Sequence, residues 1–198
     1  MNNKIVFLLT IFTITIFSAY GQQKVTIKLH SISGYEDYES FANLAIQKLE
    51  YVVNSEEFKQ RVLNEKFTKT NGLSNQEIYN SIIKAHEVQG PGGTDNVIDL
   101  RIRTISIEQD GKKWIENCEL DSWAGTIGID GKGDGVTAIC PQRLKLWSQK
   151  KDVASLAGHY AHEYMHILGF SHKGLYKRKS LVYKIGDIVK DIINKKNY

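Results

Sequence analysis

Cysteine, methionine and long apolar runs are all scarce in this chain of 198 residues. The longest apolar run lies at the start, over residues 5–17, and no later stretch is long and apolar enough to span a membrane. No cysteine lies near residues 19–22, which argues against a lipid-modified N-terminus. The chain also contains no internal repeat and no low-complexity segment.

The first residues have the pattern of a secretory signal peptide. Lys4 supplies a positive start, residues 5–17 supply the apolar region, and Ala19 and Gly21 are small residues at the −3 and −1 positions of a cut before Gln22. The alternative is a membrane anchor, but this apolar run as a helix covers roughly 20 Å, short of the ~30 Å hydrocarbon core. We therefore predict a signal peptide over 1–21, export to the periplasm or the exterior, and one domain over 22–198.

The mature chain is mildly basic, and its positive residues crowd the C-terminal end. A nucleic-acid surface usually combines such charge with aromatic or glycine-rich recognition elements, and none is recognisable here. The charges are better explained as a solvated helix face, so we predict no nucleic-acid partner and no membrane span in the mature chain. The sequence leaves the oligomeric state open.

The chain has two cysteines, Cys118 and Cys140. An even count in an exported protein predicts a disulfide, which could add roughly 3 kcal/mol by the chain-entropy model. The alternative is a pair of buried thiols.

Hydrophobic periodicity predicts an α+β domain. Strands are expected at 23–30, 97–108, 123–130 and 135–140, with a turn at 109–114. Helices are expected at 35–53, after Ser55, from Ser74, over 150–169 with Asp152 able to cap the start, and at about 181–194. The loop "DGKGDG" (130–135) resembles the start of a calcium-binding loop, but Lys132 and Pro141 stand where ligands belong. We therefore interpret it as a turn, with a Ca²⁺ site as the alternative.

The stretch "HEYMHILGFSH" (162–172) has the spacing of a catalytic metal site. His162 and His166 are four apart on a helix, so both rings project from one face and can hold one zinc ion. Glu163 lies beside them, within reach of a water on the metal. Gly169 can end the helix in the left-handed conformation, and the chain can then return His172 as a third ligand. Three ligands leave an open position, which marks catalytic rather than structural zinc.

Chance assembly of this pattern has a probability of roughly one in forty thousand at this composition, so the extended motif is far stronger than its first five residues. His159 falls outside the pattern and is interpreted as a surface histidine or a neighbour of the ligands. His30 and His86 are expected to play no part. Aromatic and sulfur side chains within the helix are interpreted as packing residues: Tyr160, Tyr164 and Met165.

The extended zinc motif of the metzincin metallopeptidases is similar to five residues of this stretch: His162, Glu163, His166, Gly169 and His172. The resemblance implies a zincin-like fold, in which a twisted mixed sheet lies over an active-site helix and a small C-terminal helical part closes the site from below. The upper part would be about 22–169 and the lower part about 170–198. An edge strand would pair with an extended substrate, and 123–130 or 135–140 are the candidates.

The chain departs from the family in one respect. Metzincins carry a methionine turn after the third histidine, whereas no methionine follows His172 here. "KSLVY" (179–183) instead offers Leu181 at the methionine position and Tyr183 two residues later. Tyr183 has three interpretations: a conditional ligand, a donor to the transition-state oxyanion, or a core residue of the last helix.

The resemblance predicts a zinc-dependent endopeptidase that acts on a protein or peptide substrate. Glu163 is the expected general base, Tyr183 a candidate oxyanion donor, and the three histidines the zinc ligands. The alternative is a zinc-stabilised binding module without catalysis. The natural substrate is not readable. Latency through an N-terminal cysteine is excluded because none precedes Cys118, while an aspartate switch is not.

Overall fold

The computed structural model describes residues 24–88, 94–119, 135–172 and 177–196. Within these ranges the chain forms parallel strands and α-helices, joined in places by short 3-10 turns. The strands are β1 (Thr26–Ser33), β2 (Val97–Thr104) and β3 (Val136–Ile139). The helices are α1 (Glu39–Val53), α2 (Glu56–Asn64), α3 (Asn75–Ile83), α4 (Ile107–Asp110), α5 (Lys112–Glu119), α6 (Pro141–Gln149), α7 (Val153–Ile167) and α8 (Leu181–Lys195).

The described strands form one open sheet in the order β1-β2-β3, with both pairings parallel. Parallel neighbours need a crossover connection, and α1, α2 and α3 provide it between β1 and β2. The mixed α+β class predicted from periodicity is therefore confirmed at this level. Every strand pairing in the described ranges is parallel, so the mixed sheet expected from the resemblance has no antiparallel member there.

The predicted end of the second strand at residue 108, and the turn predicted after it, were wrong. Strand β2 ends at Thr104, and the predicted turn over 109–114 is occupied by the end of α4 and the start of α5. The reason is topological: β2 and β3 run parallel, so a hairpin cannot join them and the chain crosses over partly as helix. The side chain of Ser106 caps α4 by accepting a hydrogen bond from the Gln109 N–H.

Three predicted helix starts are confirmed by their side-chain caps. Ser55 accepts a hydrogen bond from the Phe58 N–H at the start of α2. Ser74 and Glu77 form a full capping box at the start of α3. Asp152 accepts a hydrogen bond from the Ser155 N–H, which places the first turn of α7 as the sequence predicted.

The main core lies between the sheet and the helices and holds α7 at its centre. Along β2, Ile98, Leu100 and Ile102 alternate into this core, while the intervening positions belong to the opposite face. From α7, Leu156 and Met165 are fully buried in the same core. Burial of each such side chain stabilises the fold by about 1.5–3 kcal/mol, so the helix that carries the motif is held rigidly.

Cys118 and Cys140 form a disulfide with a Cα–Cα distance of 5.5 Å. The bond joins the C-terminal part of α5 to the residue that follows β3. Its sulfur atoms belong to a small second apolar cluster, which also contains Ile105, Ala138 and the partly buried Ile115. The disulfide therefore anchors the chain directly before α6 and α7.

Loss of this disulfide should lower the free energy of unfolding by about 3 kcal/mol. The double variant Cys118→Ser with Cys140→Ser removes the cross-link between two residues that are 22 positions apart. The segment between them then gains conformational entropy in the unfolded state. Urea unfolding of the parent and the variant measures the difference. The parent treated with a reductant serves as the control and should match the variant; equal midpoints for oxidised parent and variant would contradict the prediction.

Several sequence predictions lie outside the described residues, namely the signal peptide (1–21), the strand at 123–130 and most of the candidate calcium loop (130–135). The division into an upper and a lower part also stays a prediction. Among the helices in the described ranges, none has the length and apolar character needed to cross a bilayer.

Candidate metal centre

Helix α7 ends at the glycine that the motif requires. Gly169 has φ +88°, the left-handed conformation that lacks a Cβ clash only for glycine. Its N–H donates to the His166 carbonyl at 2.9 Å, and the Phe170 N–H donates to the Met165 carbonyl at 3.0 Å. This pair of hydrogen bonds is a Schellman motif, which satisfies the last carbonyls of α7 and reverses the chain. The predicted helix end is confirmed, and the reversal carries His172 back toward the helix.

The three motif histidines come together. One ring nitrogen from each of His162, His166 and His172 can be chosen so that the three atoms lie within 4.8 Å of one another. The ring centroids are 5.4 Å apart for His162 and His166, and 4.9 Å apart for His166 and His172. All three side chains are partly buried, so the cluster is sheltered and still reachable. Within the described ranges, it is the one group of three or more such side chains that could hold a metal ion.

The hydrogen bond of His166 suits it to metal binding. Its Nδ1 lies 2.8 Å from the Phe170 carbonyl oxygen. A carbonyl oxygen only accepts, so Nδ1 carries the proton and the lone pair of the neutral ring is on Nε2. A partner of this kind on the far ring nitrogen fixes the tautomer and orientation of metal-binding histidines.

The surroundings of His162 and His166 favour the neutral imidazole, which is the form that binds a metal. Burial, followed by the charges of His159, His166 and His172, lowers the pKa of His162 to about 2. Burial is also the main cause that lowers the pKa of His166. The His162 ring is therefore neutral at neutral pH, burial shifts His166 in the same direction, and the donor set fits a divalent metal that prefers nitrogen ligands.

Glu163 lies against the cluster and is almost fully buried, with 2% of its side chain exposed. Its Oε1 lies 3.6 Å from His162 Nε2 and 3.9 Å from His159 Nδ1. A carboxylate beside a set of imidazole donors can take and return a proton at the site.

Tyr183 comes from α8 and borders the same cluster. Its ring centroid lies 4.6 Å from that of His162, in an edge-to-face arrangement, and 4.9 Å from that of His172. Burial, and then the charge of Glu163, raise the pKa of Tyr183, so its hydroxyl keeps its proton at neutral pH and can donate a hydrogen bond. The sequence left three interpretations open for Tyr183; the structure places its ring against two of the motif histidines.

Two glycines allow α8 to approach α7 closely enough for this contact. A Cβ on Gly186 would lie 2.7 Å from the Gly158 carbonyl oxygen and 3.3 Å from His162 Cβ, and a Cβ on Gly158 would lie 2.7 Å from the Gly186 carbonyl oxygen. Backbone atoms cannot give way at such distances, so only glycine fits on both sides. Neither glycine was predicted from the sequence to have a role, although a glycine inside a helical pattern is a recognised signal of close packing.

The remaining histidines divide into two groups. His30 pairs with Asp99, and His86 Nδ1 lies 3.0 Å from Thr94 Oγ1, so neither joins the cluster. His159 is buried beside Glu163 and is not a surface residue. The packing interpretation holds for the other named α7 side chains, all of which are buried in the main core: Tyr160, Tyr164 and Met165.

A short segment after α3 supports the C-terminal end of α7. The Val88 N–H donates to the Ile167 carbonyl at 3.1 Å, and its side chain lies against Gly169. Glu87 Oε1 accepts a hydrogen bond from the Asp99 N–H at 3.0 Å. Burial, and then the nearby charge of Asp99, raise the pKa of Glu87 to about 7.

Glu87→Gln should make the protein relatively more stable as the pH rises. The folded-state pKa of about 7 exceeds the unfolded value of 4.5, so the folded parent binds more protons between these limits. The parent's stability from this group is complete below pH 4.5 and is lost as the pH rises through 7. Glutamine cannot titrate, and its carbonyl can still accept from the Asp99 N–H. Thermal unfolding of the two metal-free proteins from pH 4 to 8 measures the effect; a constant difference in Tm would contradict the prediction.

No protein-family model, no curated protein and no solved structure matches this chain. The motif and the arrangement of its side chains are therefore the observations that point to a function.

Proposed function

We propose that this protein is an exported, zinc-dependent endopeptidase similar to the metzincins. The observation that carries the proposal is the convergence of His162, His166 and His172 with a buried glutamate at their side. Three imidazoles suit zinc, and a three-ligand set leaves a position open for chemistry. The disulfide between Cys118 and Cys140 is compatible with an extracellular or periplasmic location.

His162, His166 and His172 would hold the zinc ion in this proposal. Zinc, when bound, supplies Lewis-acid activation of water and of the scissile carbonyl. Glu163 would take a proton from the attacking water at a carboxylate oxygen and pass it to the leaving amine. The Tyr183 hydroxyl would donate a hydrogen bond to the oxyanion that develops on the substrate.

The two edges of the described sheet are not equivalent, and this bears on where an extended peptide could pair. At the β1 edge, side chains at the C-terminal end of α1 already accept from the backbone at the start of the strand: Asn54 Oδ1, at the C-cap, from the Val25 N–H at 2.9 Å, and Glu50 Oε2 from the Ile27 N–H at 2.7 Å. The opposite edge of the described strands is β3, which contacts α7. Among the described strands, β3 is therefore our candidate for the substrate-binding strand, in keeping with 135–140 from the sequence.

The first turn of α8 is our candidate for the floor that a methionine turn provides in the metzincins. Leu181 is fully buried, and its N–H donates to the Thr68 carbonyl at 2.8 Å. Tyr183 follows on the same helix and reaches the histidines. We therefore propose a zincin-like architecture in which α8 belongs to the helical lower part.

A cleavage assay with metal control tests the proposed function. Purified protein is incubated with a broad peptide library, before and after chelation, and then with zinc restored. The proposal expects cleavage that chelation abolishes and zinc recovers, with one zinc ion per chain by mass spectrometry. A protein that binds zinc and cleaves nothing across the library would overturn the proposal in favour of a zinc-stabilised binding module.

Tyr183→Phe should lower kcat by about 10²–10³ and leave KM and zinc content unchanged, because the lost hydrogen bond forms only in the transition state. Steady-state kinetics on a peptide identified in the library measures the effect. Tyr51→Phe is the matched control, since Tyr51 is half exposed on α1 and should retain full activity. Unchanged turnover in Tyr183→Phe would assign Tyr183 to packing alone.

A further inference from the structure

His159 is a buried polar side chain that the mechanism above does not use. It lies on α7 one turn before Glu163, so the two side chains project from the same face of the helix. Only 8% of the His159 side chain is exposed, and its Nδ1 lies 3.9 Å from Glu163 Oε1. On the other side of the same oxygen, His162 Nε2 lies at 3.6 Å. The carboxylate oxygen of Glu163 is thus flanked by two imidazoles.

The His159 ring is held by its neighbours. The Trp147 ring of α6 lies 6.0 Å away between centroids, and the Tyr160 ring lies 6.1 Å away. Burial is the main cause that lowers the pKa of His159 to about 4, and a hydrogen bond from the ring to the Ala138 backbone carbonyl in β3 opposes the shift. The ring is therefore neutral at neutral pH and carries a single N–H. The buried Nε2 has no hydrogen-bond partner in the described residues, so Nδ1 is the nitrogen whose proton has acceptors nearby.

The carboxylate of a general base beside a metal site must be kept from binding the metal itself. A misplacement of 1 Å can reduce the rate by about 10²-fold. Metal-site residues are commonly oriented by hydrogen-bonding partners of this kind. The 3.9 Å between His159 Nδ1 and Glu163 Oε1 is longer than a hydrogen bond. Catalytic hydrogen bonds, however, are commonly long in the free protein and shorten when substrate binds.

We propose that His159 is a positioning residue that orients the Glu163 carboxylate through an N–H on Nδ1. The inference rests on the proposed function, because it assigns His159 a role toward the base of that reaction. It also assigns a tautomer, with the proton on the nitrogen that faces the carboxylate. His159 itself touches neither metal nor substrate in this role.

Two substitutions separate positioning from packing. The amide nitrogen of asparagine can take the place of Nδ1, so His159→Asn retains a donor toward Glu163. His159→Phe retains the ring but offers no donor. We expect His159→Phe to lower kcat by about 10- to 100-fold with unchanged KM and zinc content, and His159→Asn to recover most of that loss.

Tyr160→Phe is the control for removal of a buried polar group from α7. Its hydroxyl bonds to the Tyr35 hydroxyl at 3.1 Å, away from Glu163, and the variant should keep full activity. Equal activity of His159→Phe and the parent would overturn the inference, as would loss of zinc from His159→Phe or equally low kcat values for the Phe and Asn variants.

A second measurement does not depend on catalysis. Nitrogen-15 NMR of the zinc-loaded protein should show the His159 proton on Nδ1, and the signal should shift in Glu163→Ala. A proton on Nε2, or an unchanged signal, would overturn the inference even if the protein is a peptidase. Conversely, the expected NMR shift in a protein that cleaves no peptide would refute the proposed function. It would still support the contact between His159 and Glu163.

Discussion

Glu163→Gln should bind about one zinc ion per chain and unfold at nearly the parent temperature, yet lose activity by a factor of at least ~10²–10⁴. Glutamine keeps the shape of glutamate, so the packing of a residue that is 2% exposed is preserved. Its amide cannot accept the proton of the attacking water. The loss should fall on kcat, because proton transfer takes place in the transition state. Peptide cleavage and metal content measured on the same preparation decide the result.

Glu87→Gln is the matched control for this change. It introduces the same substitution at a partly buried glutamate that lies near α7 but outside the histidine cluster. The variant should retain full activity. If Glu163→Gln cleaves peptides as fast as the parent, the proposed role of Glu163 is wrong. If it is inactive but also poor in zinc, Glu163 acts on the metal site as a whole and its assignment to proton transfer fails.

The second large effect is expected from the histidines. His162→Ala, His166→Ala and His172→Ala should each lose zinc affinity by more than the ~10- to 100-fold typical of losing an outer-shell partner, since each removes a ligand itself. Activity should be lost with the metal. Zinc should raise the Tm of the parent, because a ligand that binds only the folded state stabilises it, and this rise should disappear in the variants. Competition with a chromophoric chelator measures the affinity.

His86→Ala is the control for the general effect of losing a histidine. His86 lies in the segment after α3 and pairs with Thr94, so its loss should leave zinc affinity unchanged. If His172→Ala alone keeps zinc and activity, the third ligand lies elsewhere, and His159 is the first residue to examine. The resemblance to the metzincins would then be limited to the first five motif residues, "HEYMH".

Local features of the fold were predictable because their causes are local. A capping box depends on residues three apart, and Ser74 with Glu77 marks its helix start in the sequence alone. The same holds for the end of α7, where Gly169 takes the conformation that the motif requires. The short helix α5 was missed because the residues around Gly111 favour a turn locally, and the need for a crossover became visible only once β2 and β3 were seen to be parallel.

The cluster of three histidines was also predictable, because helical geometry relates His162 to His166 and a single chain reversal brings back His172. The sequence by itself therefore determined that the three histidines come together, that Glu163 lies beside them, and where the helix ends. The positions of Tyr183 and His159 were decided only by the tertiary structure. Tyr183 reaches the histidines because Gly158 and Gly186 let two helices approach to backbone contact, and no local rule relates residues so far apart in the chain. His159 is buried because α6 and β3 cover it, so its environment depends on packing between elements and not on the motif, outside which it lies.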